Sequence, residues 1–134
     1  MTPKPGSNAA LAALERDLAR DLEYLCRPAA NWVPPRQVGG EKVYDIIIIG
    51  GGMCGMVAWF ALQCEGMLQT RIFDRNPAGL EGPWLNYARM QTLRSPKQLV
   101  GPAYGMSSLT FRAWFTAQFG DSAWELLDKI PRPM

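Results

Sequence analysis

The 134 residues are 48% hydrophobic and 19% charged, enough apolar material for one core of ordinary domain size. Lys and Arg number 14 against 12 Asp and Glu, a net charge of +2, so the chain lacks the basic field that nucleic-acid binding requires. Without a histidine it has no His-based triad, His-ligated metal or imidazole acid–base group of its own.

The three cysteines, Cys26, Cys54 and Cys64, have no C-x-x-C spacing. That argues against a disulfide framework and against a zinc site, and it fits a reducing cytoplasm. No metal site is expected, and any redox chemistry must come from a bound group. The N-terminus carries no apolar run of secretory length beside Lys4.

Residues 1–7 read as a lead, with Ser7 or Asn8 as a helix N-cap. Leu11, Leu14, Leu18, Leu22 and Leu25 then recur at three- and four-residue steps, which predicts an amphipathic helix ending at Pro28. Its charges are of both signs, unlike those of a membrane-seeking helix. Residues 31–40, with Pro34, Pro35, Gly39 and Gly40, read as an extended linker. The division expected is therefore 1–40, helix and Pro/Gly linker, and 41–134, the main domain.

That domain opens with a strand over 43–49. The four consecutive isoleucines Ile46 to Ile49 predict a strand covered on both faces, as in a parallel α/β sheet. Gly50, Gly52 and Gly55 follow as G-x-G-x-x-G. The first allows a tight turn, the second allows a pyrophosphate to approach the backbone, and the third allows the following helix to pack on the strand. The helix should run from Met53 to Glu65, with Gly66 just past its end. Ile46 to Cys64 is uncharged, but its three adjacent glycines argue against a membrane span.

A second strand, Thr70 to Asp74, closes a strand–turn–helix–strand unit. Asp74 ends it where a dinucleotide-binding unit places a carboxylate for ribose hydroxyls, about 20 residues past the turn. Together these elements point to an adenosine pyrophosphate, of either a nicotinamide dinucleotide or FAD.

Arg75 could neutralise a 2′-phosphate, stack on adenine or stand in solvent. Cys54 lies in the first turn of the helix, where a thiolate would be favoured, or it is a small packed filler beside a phosphate contact. Trp59, Trp84 and Tyr87 also read as core aromatics. Arg89, Arg94 and Lys97 read as surface charge or as a site for an anionic group. The long Gly-, Pro- and aromatic-rich stretch after Asp74 suits a segment lining a ligand. Toward the C-terminus, 107–120 predicts an amphipathic helix capped by Ser108, with Phe111, Trp114, Phe115 and Phe119 on one face. Ser122 to Glu125 predicts a capping box opening another helix.

The elements Gly-Gly-Gly-Met-Cys-Gly, Phe-Asp-Arg and Gly-Leu-Glu-Gly-Pro-Trp together resemble the start of the class B flavin-dependent monooxygenases and their relatives. Met90-Gln91, Lys97 and Ser108 to Phe111 are similar to the corresponding positions of the ornithine and lysine N-hydroxylase branch. Glu81-Gly82-Pro83 stands where the family has Gly-Gly-Thr. The resemblance covers residues 43 to about 119. It implies a Rossmann-like FAD/NAD(P)-binding βαβ unit, with Gly50, Gly52, Met53, Cys54, Gly55, Asp74 and Arg75 on the adenosine diphosphate half of FAD, and Trp84, Met90 and Gln91 nearer the flavin. It also implies that NADPH, bound outside this chain, would reduce the flavin.

Two strands make an incomplete sheet, and residues 41–134 are expected to be the N-terminal part of an FAD-binding domain, too short to complete a catalytic cycle alone. FAD and the missing downstream part of the flavoprotein, or a complementing chain, are the partners expected; nucleic acid and membrane are not. The other readings are an NAD(P)-dependent dehydrogenase segment and an inert dinucleotide-binding remnant.

Overall fold

A computed structural model describes residues 1–83 and 86–130. They form two compact units, one of residues 26–89 and one built from Met1–Leu25 together with the described residues from Met90 on.

The first unit is α/β. An antiparallel hairpin pairs β1 (Arg36–Val38) with β2 (Glu41–Val43), so that Val38 faces Glu41. Gly39 and Gly40 make the connection with φ of 60° and 83°, the left-handed pair that suits the twist of a two-residue hairpin. Residues 31–40 are therefore no plain linker: Arg36 to Val38 have a hydrogen-bonded strand partner.

β3 (Ile46–Ile49) pairs in parallel with β4 (Thr70–Phe73), Ile46 beside Thr70 and Ile49 beside Phe73. α2 (Met53–Cys64) connects them. The expectation that both sheet faces are covered is not met. Ile46 and Ile48 are half-buried on the face toward α2, whereas Ile47 is 56% and Ile49 82% exposed. A lone α2 shields one face of a pleated strand, and successive side chains point to opposite faces.

The end of α2 explains much of the unit's remaining chain. Gly66, at φ +78°, donates its N–H to Gln63 O, and Met67 donates to Leu62 O, the paired bonds of a Schellman cap. The next carbonyls are satisfied from the 26–33 segment, by Ala29 N–H on Cys64 O and Trp32 Nε1–H on Glu65 O. This segment thus satisfies carbonyls that a helix terminus leaves without intrahelical partners. A side chain at Gly66 would collide with the carbonyl oxygen of Ala30.

The second unit is helical. α1 (Ser7–Tyr24) packs on α3 (Phe111–Phe119), with Leu11, Leu14, Leu18 and Leu22 half-buried. Neither Ser7 nor Asn8 caps α1: the N-cap is Gly6 in a left-handed conformation, and Ser7 is already helical. The helix stops at Tyr24, ahead of Pro28, because Cys26 has φ of 50°. Lys4 joins the far end of α3, donating its backbone N–H to Gln118 O and its ammonium to Thr116 O.

A short 3₁₀ turn at Ser107–Leu109 precedes α3, so Ser108 does not cap it. Thr110 does, its hydroxyl accepting the N–H of Ala113 at 3.1 Å, while Ser108 Oγ donates to Asp21 at 2.6 Å. α4 (Asp121–Leu126) begins one residue before the expected capping box and has Gly120 as its N-cap, with no side-chain cap. Phe115, with no exposed surface, Trp124 and Leu127 form the core, and Trp114, Phe119, Ala123 and Ile130 pack around it.

Candidate functional site

The site is built on the end of β3. Gly50 donates its N–H to Phe73 O at 2.8 Å, extending the parallel ladder one residue past the strand. The chain then turns at Gly50, φ +105°, a conformation open to glycine and strained for other residues. α2 starts immediately afterwards with Gly52 as N-cap. The third glycine has the tightest surroundings: a Cβ on Gly55 would coincide with the carbonyl oxygen of Gly50 and sit 3.4 Å from Ile48 Cγ2. Helix and strand are therefore in backbone contact, as the G-x-G-x-x-G spacing predicts.

The first N–H groups of α2, those of Gly52, Met53 and Cys54 among them, have no partner within the helix by geometry. They form the donor set that an α-helix presents to an anion. Both Met53 and Cys54 are exposed, so Cys54 is not the packed filler that its place in the turn suggested.

Asp74 follows β4 and faces the turn. Its Oδ2 accepts the N–H of Gly51 at 2.7 Å, and its Oδ1 accepts the N–H of Asn76 at 2.7 Å. Those two amides, Asn76 first, hold the Asp74 carboxyl below the usual aspartate range, with Arg75 adding a smaller push in the same direction. Arg75 itself is exposed.

A second wall comes from the loop 77–83, part of the stretch after Asp74 that is expected to line a ligand. Leu80 N–H donates to Pro77 O in a tight turn, with Gly79 at φ +86°, and Glu81 accepts the N–H of Gly79 at 2.8 Å. Asn86 Nδ2 donates to Leu80 O and Gly82 O, tying the loop to the chain that follows it. A Cβ on Gly51 would lie 3.0 Å from Glu81 Cγ, and one on Gly52 would lie 3.4 Å from Gly82 Cα. Glu81, which departs from the Gly-Gly-Thr pattern, and Gly82, which keeps its glycine, are thus the ones against the glycine turn. That this loop returns onto Gly51 and Gly52 has no local signal in the sequence.

Gly50, Gly52, Met53, Cys54, Gly55 and Asp74 are brought together as expected. Trp84 lies outside the described residues. Met90 and Gln91 are exposed and belong to the helical unit. Of the other candidates, Tyr87, 65% exposed, is no core aromatic, and Trp59 is half-buried in α2.

Lys97 is committed elsewhere. Its ammonium donates to Trp124 O at 2.7 Å and to Glu125 O at 3.1 Å, and lies 5.5 Å from the Trp124 ring centroid. It caps the C-terminus of α4, where a cation is favoured. Arg89 and Arg94 are exposed. Cys26, Cys54 and Cys64 are all free thiols. Among the described residues no cluster of His, Cys, Asp and Glu could hold a metal ion, and no helix is long and apolar enough to cross a membrane.

Strand, glycine turn, helix, second strand and terminal carboxylate make an α/β arrangement consistent with an incomplete dinucleotide-binding unit. Over 122 residues, 91% of its length, the chain is 50% identical to a protein of Xanthomonas campestris pv. campestris named FAD-dependent urate hydroxylase. The match leaves too few residues over for the stretch from Gly50 to Pro83 to fall outside it. The chain spans 26% of the length of that protein. No family model and no solved structure matches the chain.

Proposed function

We propose that this chain binds FAD and is the FAD-binding part of an NAD(P)H-dependent flavoprotein oxidoreductase of the monooxygenase kind, with a Rossmann-like unit at residues 43–74. One observation carries the reading: a glycine turn with Asp74 docked on it lies in a stretch that is half identical to a protein named as an FAD-dependent hydroxylase.

The residues present suit the adenosine pyrophosphate. The Gly52, Met53 and Cys54 amides would meet its charge, Gly52 would let it approach the backbone, and Asp74 retains lone pairs for ribose hydroxyls. Glu81 beside Gly51 adds a second carboxylate near the turn. That disfavours a 2′-phosphate and supports FAD over NADPH as the occupant. Bound FAD would supply the redox chemistry, and the reductant and the substrate would bind in parts of the enzyme outside this chain.

For the substrate, the relative's name supports a urate-like heterocycle. The amine N-hydroxylase branch loses one of its supports, because the Lys97 ammonium is bonded to Trp124 and Glu125 carbonyls. Equilibrium dialysis of the chain against FAD, NADH and NADPH tests the proposal. Selective retention of FAD is expected. Preferential retention of NADH would move the reading to a dehydrogenase, and retention of none of the three would refute nucleotide binding by this chain.

A further inference from the structure

In a dinucleotide-binding unit the acid at the end of the second strand is read as an acceptor for ribose hydroxyls. Here both of its oxygens already accept backbone amides, Gly51 N–H on one and Asn76 N–H on the other. Both bonds are short, as charge-assisted hydrogen bonds are. Gly51 is the residue between the first two glycines of the motif and is buried. It immediately precedes the N-cap of α2, so its peptide plane sets the direction of the amides that follow. Asn76 begins the loop that comes back to place Glu81 on Gly51 and Gly82 on Gly52.

We infer that Asp74 is a positioning residue for the glycine turn: through Gly51 it holds the anion-binding amides of Gly52, Met53 and Cys54 in place before any nucleotide arrives. A ribose contact adds to this function and does not replace it, since a carboxylate has lone pairs to spare. The carboxylate is itself an anion near a phosphate site and would repel pyrophosphate if repulsion were its main effect. The sign of its contribution to binding a nucleotide that has no ribose hydroxyls therefore separates the two roles. The nucleotide arm of this inference rests on the FAD reading; the structural arm does not.

The test uses the full 134-residue chain. Amide NMR of the ligand-free protein should show the Gly51 and Asn76 N–H signals moving together with pH, in a single step below the usual aspartate range. Asp74→Asn should abolish that step and shift the Gly51 signal, and Asp74→Glu should restore a titration at Gly51. A Gly51 signal that neither titrates nor responds to Asp74→Asn overturns the inference, whatever the chain binds.

ADP and 2′,3′-dideoxy-ADP form the second arm. Asp74→Asn should weaken both by a similar factor, about five- to tenfold. Loss confined to ADP, or tighter binding of the dideoxy nucleotide, overturns the inference. Failure of the wild-type chain to bind ADP would count against the FAD proposal alone, because the amide titration still decides whether Asp74 holds the turn.

Discussion

The glycine-turn unit and the helical unit are held together by opposite means. Around Gly50 to Gly55 three close contacts are backbone against backbone: Gly50 N–H on Phe73 O, Gly55 against the Gly50 carbonyl, Gly52 against Gly82. Gly50, Gly52 and Gly55 carry no side chain, the Asp74 and Glu81 side chains meet the turn at Gly51, and the large side chains nearby, Ile49, Met53 and Phe73, are at least half exposed. The helical unit depends on large side chains. Phe115 meets Phe119 at 4.9 Å and Trp124 at 5.5 Å between ring centroids, the latter edge-on, and Lys97 and Arg112 each lie 5.5 Å from the Trp124 ring. The first kind of packing leaves polar backbone groups at a surface, which suits binding. The second buries aromatic area, which supplies stability.

Three substitutions test this contrast, the strongest first. Phe115→Ala removes the one side chain in the helical core with no exposed surface and should cost about 3–5 kcal/mol. Denaturant unfolding followed by tryptophan fluorescence measures the loss. The Gly51 amide signal should keep its native position in the folded variant at low denaturant. Movement of that signal would show that the two kinds of packing are coupled.

Gly55→Ala adds only a methyl group, but one that meets the Gly50 carbonyl oxygen. It should cost about 1–3 kcal/mol by overpacking and abolish FAD retention in dialysis. A variant that keeps wild-type affinity would mean that α2 can slide away from the strand without disturbing the turn.

Thr110→Ala deletes the side-chain cap of α3 and should lower stability by about 1 kcal/mol, with nucleotide binding unchanged. A loss of binding in that variant would break the contrast from the other side.

Much of the site could be read from residue types because its logic is local. A tight turn, a close helix–strand crossing and a carboxylate at a strand end each need one residue kind at a set spacing. Gly50, Gly52, Gly55 and Asp74 meet those needs in one short stretch. The Gly66 terminator was legible for the same reason, since a left-handed C′ position favours glycine. The caps were not. Ser7, Ser108 and Ser122 are all good N-cap residues by type, yet Gly6, Thr110 and Gly120 take the positions. Which of several neighbouring residues caps a helix depends on where the chain enters it, which is set by packing.

Residue types and spacing were enough to show that a glycine-rich turn leads from strand to helix and that a carboxylate stands at the end of the next strand. Tertiary structure alone decided what meets that turn. It brought Glu81 and Gly82 against Gly51 and Gly52, used 26–33 to satisfy the end of α2, bound Lys97 to the end of α4, and left Ile47 and Ile49 exposed. The physical reason is range: backbone conformation and helix periodicity are local properties, whereas a partner for a carbonyl, an ammonium or a sheet face can come from any distance along the chain.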